Sequence, residues 1–229
     1  MIVHTRGIVI KYLKYQESSI IVQVFTEDYG YMPFIVNGIR SARSKRSIAY
    51  FQPFSLLDIV AYVKPNREIQ RLTEYKYYAP SHAIQQDIRK STIVLFLSEI
   101  LAKLLSHEKG EAQHHLYEFL SDAIITLDGL NEEVENFHLH FLLKLLPLIG
   151  LGAADGDIML ESMEMESIVD DQKLIAFISK ILHSDYSINI AGTGVLRFKA
   201  LEFLLNYYEH HTSQIGDIKS LKVLRQVFQ

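Results

Sequence analysis

The chain has 229 residues, 48% of them hydrophobic and 22% charged, with only 11 Gly and 5 Pro, a composition that fits a folded globular protein and excludes a disordered tail or a fibre. It contains no cysteine, which removes disulfides, thiolate catalysis, Cys-ligated zinc and iron–sulfur clusters and leaves His, Asp and Glu as the candidate metal ligands. The formal net charge of −4 conceals an asymmetry, because residues 1–80 carry 11 Lys+Arg against 6 Asp+Glu whereas residues 81–229 carry 12 against 21.

The first fifteen residues place charge at Arg6, Lys11 and Lys14 and contain no apolar core of about seven residues, so they read as a strand and not as a secretory signal. Turn signals at Asp28-Tyr29-Gly30, Asn37-Gly38 and Lys64-Pro65-Asn66 divide the chain before Pro80 into five predicted strands, near 2–14, 19–26, 31–37, 54–63 and 68–78. In the second, Ile20, Val22 and Val24 alternate with Ile21, Gln23 and Phe25. Both faces are thus largely apolar, as where strands curl around a small closed core. Five short strands with their longest connection between the third and fourth match a Greek-key barrel of the OB type; a five-stranded SH3-like barrel or a sandwich fragment fits the count nearly as well.

From Ser81 the apolar spacing changes to three and four. Ile93, Leu97, Ile100, Leu101 and Leu104 mark one face of a helix over 82–107, stopped at Gly110. A second helix fits 111–128. A third fits 132–149, with Glu132, Glu133 and Glu135 in its first turn, Pro147 expected to kink or shorten it and Gly150 at its end. Residues 151–171 are rich in glycine and acid and predict an irregular connection, and further helices follow near 172–184, 194–211 and 217–228. The predicted class is α+β multidomain: an OB-type five-stranded β-barrel over 1–80, then an α-helical domain over 81–229. No segment approaches the about 18 uncharged apolar residues that cross a bilayer, and a cytoplasmic location is expected.

The charge asymmetry fits a nucleic-acid surface on the front half, and equally two domains that simply differ in charge. Its densest point is Arg40, Arg43, Lys45 and Arg46, with no carboxylate between Asp28 and Asp58. Such a loop gains affinity for phosphates by displacing condensed counterions, and Ser41, Ser44 and Ser47 can add neutral hydrogen bonds. Lys64 and Arg67 come from the turn between the last two strands, which in OB barrels borders the oligonucleotide groove. Tyr50, Phe51, Phe54, Tyr62 and Tyr75 lie nearby in sequence, either as platforms for bases, at about 1–3 kcal/mol each, or as barrel core beside a solvated loop. Phe51 and Phe54 are expected in the core.

The ten histidines raise a metal hypothesis that their spacing does not support. His138 and His140 are two apart, whereas ligand pairs on a helix need spacings of three or four, and His114-His115 and His210-His211 are adjacent. Surface or half-buried helical histidines are the expected account. Phosphate-binding loops of the GxxxxGK[ST] and GxGxxG kinds and a GxSxG elbow are missing from the sequence. The acids Asp155, Asp157, Glu161, Glu164 and Glu166 lack an EF-hand pattern and read as a solvated segment. No enzymatic activity, metal or cofactor is expected.

Glu17 to Thr26, then Gly30, then the run from Gly38 through Arg40 and Arg43 to Lys45, then Gln52-Pro53-Phe54, resembles in order the N-terminal barrel of RecO, the bacterial recombination mediator. Leu204 to Tyr208, His211, and Leu221 after Lys219-Ser220 resemble that family's C-terminal helices. The resemblance implies an OB domain and a helical domain that bind single- and double-stranded DNA, anneal complementary strands and act with RecR to help RecA displace single-stranded-DNA-binding protein (SSB), without nucleotide hydrolysis. It carries Arg40, Arg43, Lys45 and Arg46 over as DNA contacts. It also implies a helical-domain pocket for the acidic, apolar-ended tail of SSB, for which Arg197, Lys199 and Lys219 are the candidates. Two features depart from the family: the four-cysteine zinc module of many members is missing, and Asn37 stands where a Lys is usual. A plain single-strand-binding OB protein and a protein-binding scaffold remain the competing readings.

Overall fold

The computed structural model describes residues 1–40, 48–79, 81–107, 111–152 and 172–228. They form two compact units, Met1–His82 with Leu97–Ile125, and Ala83–Phe96 with Thr126–Gln229.

The first unit is built on β1 (Ile2–Tyr15), β2 (Ser19–Thr26), β3 (Gly30–Val36), β4 (Leu56–Tyr62) and β5 (Gln70–Ala79). They close into a barrel of order β1-β2-β3-β5-β4, the OB arrangement, antiparallel except for the parallel contact of β3 with β5. The interior is a cluster of branched and aromatic side chains that includes Val9, Ile20, Val22, Val24, Phe34, Val36, Leu57, Ile59 and Leu72. Phe51 enters the same cluster from a 3₁₀ turn over Ile48–Phe51, and Phe54 is buried as well. Tyr50 is partly buried against this cluster, its ring stacked on Tyr77 with centroids 4.5 Å apart.

The helices are α1 (His82–Gln86), α2 (Ile88–Leu104), α3 (His114–Gly129), α4 (Phe137–Leu145), α5 (Gln172–Leu182), α6 (Gly194–Thr212) and α7 (Leu221–Phe228). The single helix expected over 82–107 is divided at Asp87. Its N–H still donates to Ala83 O at 3.0 Å, while its carboxylate accepts from Arg89 N–H at 2.8 Å and so acts as a cap for α2. The Arg89 guanidinium, 2.9 Å from the second carboxylate oxygen, holds Asp87 below the usual carboxylate range. The helix expected over 132–149 is shorter: Val134–Asn136 is a 3₁₀ turn, α4 ends at Leu145, and Pro147 lies in a further 3₁₀ turn over Leu146–Ile149. Glu133 stands before the helical turns with φ 64°.

In the second unit α4 is buried on every side except at Lys144. His138 and His140 are therefore core residues, 3% and 1% exposed, which corrects the expectation of surface or half-buried histidines. A helix enclosed all round has no polar face to which spacing could assign them. The connection 183–193 is tied to α4 by the stacked rings of Phe137 and Tyr186, 4.6 Å apart, and by Asn136 Nδ2, which donates to Ile190 O at 2.9 Å. Tyr208 of α6 donates to Leu142 O at 2.7 Å. Gly110 and residues 153–171 lie outside the described residues. Among the described residues no helix is long and apolar enough to cross a membrane, and no group of three or more His, Asp or Glu gathers that could hold a metal.

Candidate nucleic-acid interface

The pairing register shows which side chains share the outer surface of the barrel. Leu56, Ile8, Phe25 and Tyr31 face one another across β4, β1, β2 and β3. All four are buried although none belongs to the interior cluster. At Phe25 the cover is α3, whose Tyr117 stacks on that ring at 6.3 Å and whose Tyr117 and Ser121 hydroxyls meet that of Tyr78 at 3.2 and 2.9 Å. The approach is close enough to require glycine at position 30: φ is +63° there and a Cβ would stand 2.2 Å from Glu111 O.

Further along the same strands the surface is open. Leu13 pairs with Ile21, Ile21 with Ile35, Ile35 with Arg71, Arg71 with Tyr62, and Tyr62 with Ile2. Leu13 is 56% exposed, Tyr62 42% and Ile2 67%. The neighbouring row is Lys11, Gln23 and Pro33.

The cations expected from sequence border this open surface at two turns. At the β1–β2 turn, Arg40 N–H donates to Ser18 O at 2.9 Å and Arg40 Nη1 to Gln16 O at 3.2 Å, so Arg40 is fixed beside the hairpin. Gln16, with φ 51°, supplies the left-handed residue of that turn. At the β4–β5 turn, the buried Gln70 side chain accepts from Lys64 N–H at 2.9 Å and donates to the Lys64 and Arg67 carbonyls at 3.0 and 2.6 Å. This holds the turn that carries exposed Lys64 and Arg67, and Lys64 Nζ stands 5.5 Å from the centre of the Tyr62 ring. Lys64, Arg67, Arg71 and Tyr62 thus form one cationic sector around an exposed ring, the combination that holds a phosphate backbone and a base face. Arg43, Lys45 and Arg46, with Ser41, Ser44 and Ser47, lie outside the described residues.

Sequence reasoning missed Lys11 and Arg71. Their signal was present in the alternation of each strand, since Leu72 faces the interior and Arg71 therefore faces out, but in β5 polar Gln70 and Glu74 share the parity of Leu72 and a register shift between Leu72 and Glu74 changes the phase. Tyr75 was considered as a platform for bases; instead it packs at the barrel core, edge to face with Phe51 at 4.7 Å.

The three cations placed in the helical part have different surroundings. Arg197 is half-buried and turns back, its Nη1 donating to Gly192 O at 2.7 Å. Lys199 borders a cavity of about 530 Å³ with Val195, Phe198, Glu202 and Arg225, whereas Lys219 is exposed in the connection before α7. Arg225, not selected from sequence, pairs with Glu202 and lies with its guanidinium carbon 5.0 Å from the centre of the Phe198 ring.

Residues 1–80 match the family model described as Recombination protein O N terminal, and residues 85–154 the one described as Recombination protein O C terminal. The chain is 34% identical to the DNA repair protein RecO of Flavobacterium psychrophilum, 33% to that of Flavobacterium johnsoniae and 30% to that of Bacteroides fragilis, each over 100% of both chains.

Proposed function

The chain belongs to the RecO family of DNA repair proteins, and from that premise we propose that it is a recombination mediator: it binds single- and double-stranded DNA, anneals complementary strands and, with RecR, helps RecA load onto strands coated by SSB. Catalysis has no part in this reading, which places the protein in the cytoplasm with no cofactor. The observation that carries it is the cationic border of the open barrel surface. Arg40 sits at one turn, Lys64 and Arg67 at the other, with Arg71 and Tyr62 beside them. Two strands held against such a border repel one another less and meet at a higher effective concentration. Arg43, Lys45 and Arg46, which follow Arg40 in sequence, are further DNA contacts on this reading.

For the SSB tail we propose the cavity beside α6 and α7. Val195 and Phe198 give an apolar floor and Lys199 and Arg225 supply cations, the chemistry that an acidic segment with an apolar end requires. Lys219 and Arg197 are on this reading peripheral to it.

The test is annealing of two complementary oligonucleotides precoated with the cognate SSB, with and without the protein. Acceleration is expected. Binding of bare strands without annealing of coated ones would reduce the protein to a plain single-strand binder, and no effect on either would leave only the fold in common with the family.

A further inference from the structure

The open row on β1, β2 and β3 differs in kind from the cationic sector beside it. Leu13, Ile21 and Ile35 stand side chain to side chain in register, and Leu13 is more than half exposed. None of the three is a ring, so the stacking that holds bases on OB surfaces has no platform here. Branched aliphatic side chains in a contiguous row, Leu13 exposed and Ile21 and Ile35 half-buried, mark a contact with another apolar surface.

We propose that this row docks an amphipathic helix of another protein, apolar on the docking side and carrying carboxylates along its margins. The geometry of the occupant follows from the adjoining half of the same surface. There the row Leu56, Ile8, Phe25 and Tyr31 is buried, and at Phe25 the cover is a helix, α3, with Tyr117 laid on the ring. The same strands offer a second seat four residues away along β2 and β3 and five along β1, beyond the row of Lys11, Gln23 and Pro33. The charge of the occupant follows from the borders. Lys11 stands in the row next to Leu13, and Arg71 closes the aliphatic row at Ile35. No carboxylate occurs among Lys11, Gln23, Pro33, Leu13, Ile21, Ile35 and Arg71, so acids at the helix margins find partners and bases find none. The inference shares Arg71 with the DNA reading and differs from it in Leu13, Ile21 and Ile35, so the Leu13 variants separate the two.

The experiment uses the full chain and a designed helical peptide of about 20 residues, a length at which a helix is sustained in isolation, with a leucine face and glutamates along both margins. A second peptide replaces every glutamate by lysine, and binding is read by fluorescence anisotropy. The glutamate peptide is expected to bind more tightly than the lysine peptide. Leu13→Glu should weaken it by about tenfold or more, as for loss of a central interface anchor, and Lys11→Glu with Arg71→Glu should reverse the preference between the two peptides. Leu13→Ser, which keeps the site neutral, should weaken both peptides without reversing them, and circular dichroism of each variant checks that the barrel is intact. Equal affinity for the two peptides, or indifference to Leu13→Glu, overturns the proposal. So does a Leu13→Ser variant that loses oligo-dT and not peptide, which assigns the row to nucleic acid. Concentration-dependent dimerisation removed by Leu13→Glu assigns it to a second copy of the chain and overturns the proposal equally.

Discussion

The side chain of Gln70 and the backbone of Lys64 bond to each other in both directions, Oε1 accepting from the Lys64 N–H at 2.9 Å and Nε2 donating to its carbonyl at 3.0 Å. Because Nε2 also reaches Arg67 O at 2.6 Å, one buried amide sets the path of the whole β4–β5 turn. Gln70→Leu strips three backbone groups of their partner. Stability should fall by about 1–3 kcal/mol, the cost of leaving buried groups unpaired, as measured by urea unfolding. Affinity for oligo-dT should fall several-fold although no cation has been removed. Unchanged affinity in a destabilised variant would separate the turn from the DNA surface.

Removing the cations themselves has a different signature. With Lys64→Ala and Arg67→Ala together, the dependence of log affinity on log salt for single strands should flatten by about 1.4, since each lost phosphate contact removes about 0.7. The loss should be alike for strands of any sequence. A full slope with weakened affinity would show that the two residues act on the protein and not on phosphate.

Acid should weaken the helical unit through His138. Burial, reinforced by the nearby Arg197, lowers its pKa to about 3 from 6.5, and Phe96 and Phe228 flank its ring at 6.2 and 6.0 Å. The unfolded chain takes up the proton near pH 6.5 while the native one refuses it. The penalty is therefore absent above pH 6.5 and grows as pH falls towards 3, by at most about 1.4 kcal/mol per pH unit for one group. His138→Gln should flatten the fall in unfolding free energy between pH 6.5 and 4. An equally steep fall would place the acid sensitivity elsewhere.

In Tyr208 the buried hydroxyl has one acceptor, Leu142 O, and burial raises its pKa well above 10. Tyr208→Phe should cost about 1 kcal/mol by thermal or urea unfolding, with oligo-dT affinity unchanged because the barrel surface is untouched.

Most of the architecture was legible from residue pattern alone. Turn signals bounded all five strands to within two residues of their ends, because Gly, Pro and Asn report backbone conformation directly. What escaped depended on neighbours distant in sequence. Asp87 is the local exception: it divides a helix by capping the one that follows, within the largely polar stretch from Gln85 to Ser91. His138 and His140 look polar in a list, and only the packing around α4 makes them core. For the site, Arg40, Lys64 and Arg67 were found by their turns. Arg71 was missed because polar Gln70 and Glu74 share the parity of Leu72 and a register shift in β5 hides which face is inside, and Arg225 because it joins Val195, Phe198 and Lys199 only in space.

Parallel pairing joins β3 to β5 through Phe34 with Gln70 and Ile35 with Arg71 alone among the described residues, far less than any other junction of the barrel. That seam is where the hydrogen-bonded cylinder opens at the least free energy, and amide exchange at Ile35 and Arg71 should run ahead of exchange in β1 and β2. The same two residues stand side by side on the open outer surface. A partner that spans them acts as a clasp, and its binding energy is added to the resistance of the barrel against opening.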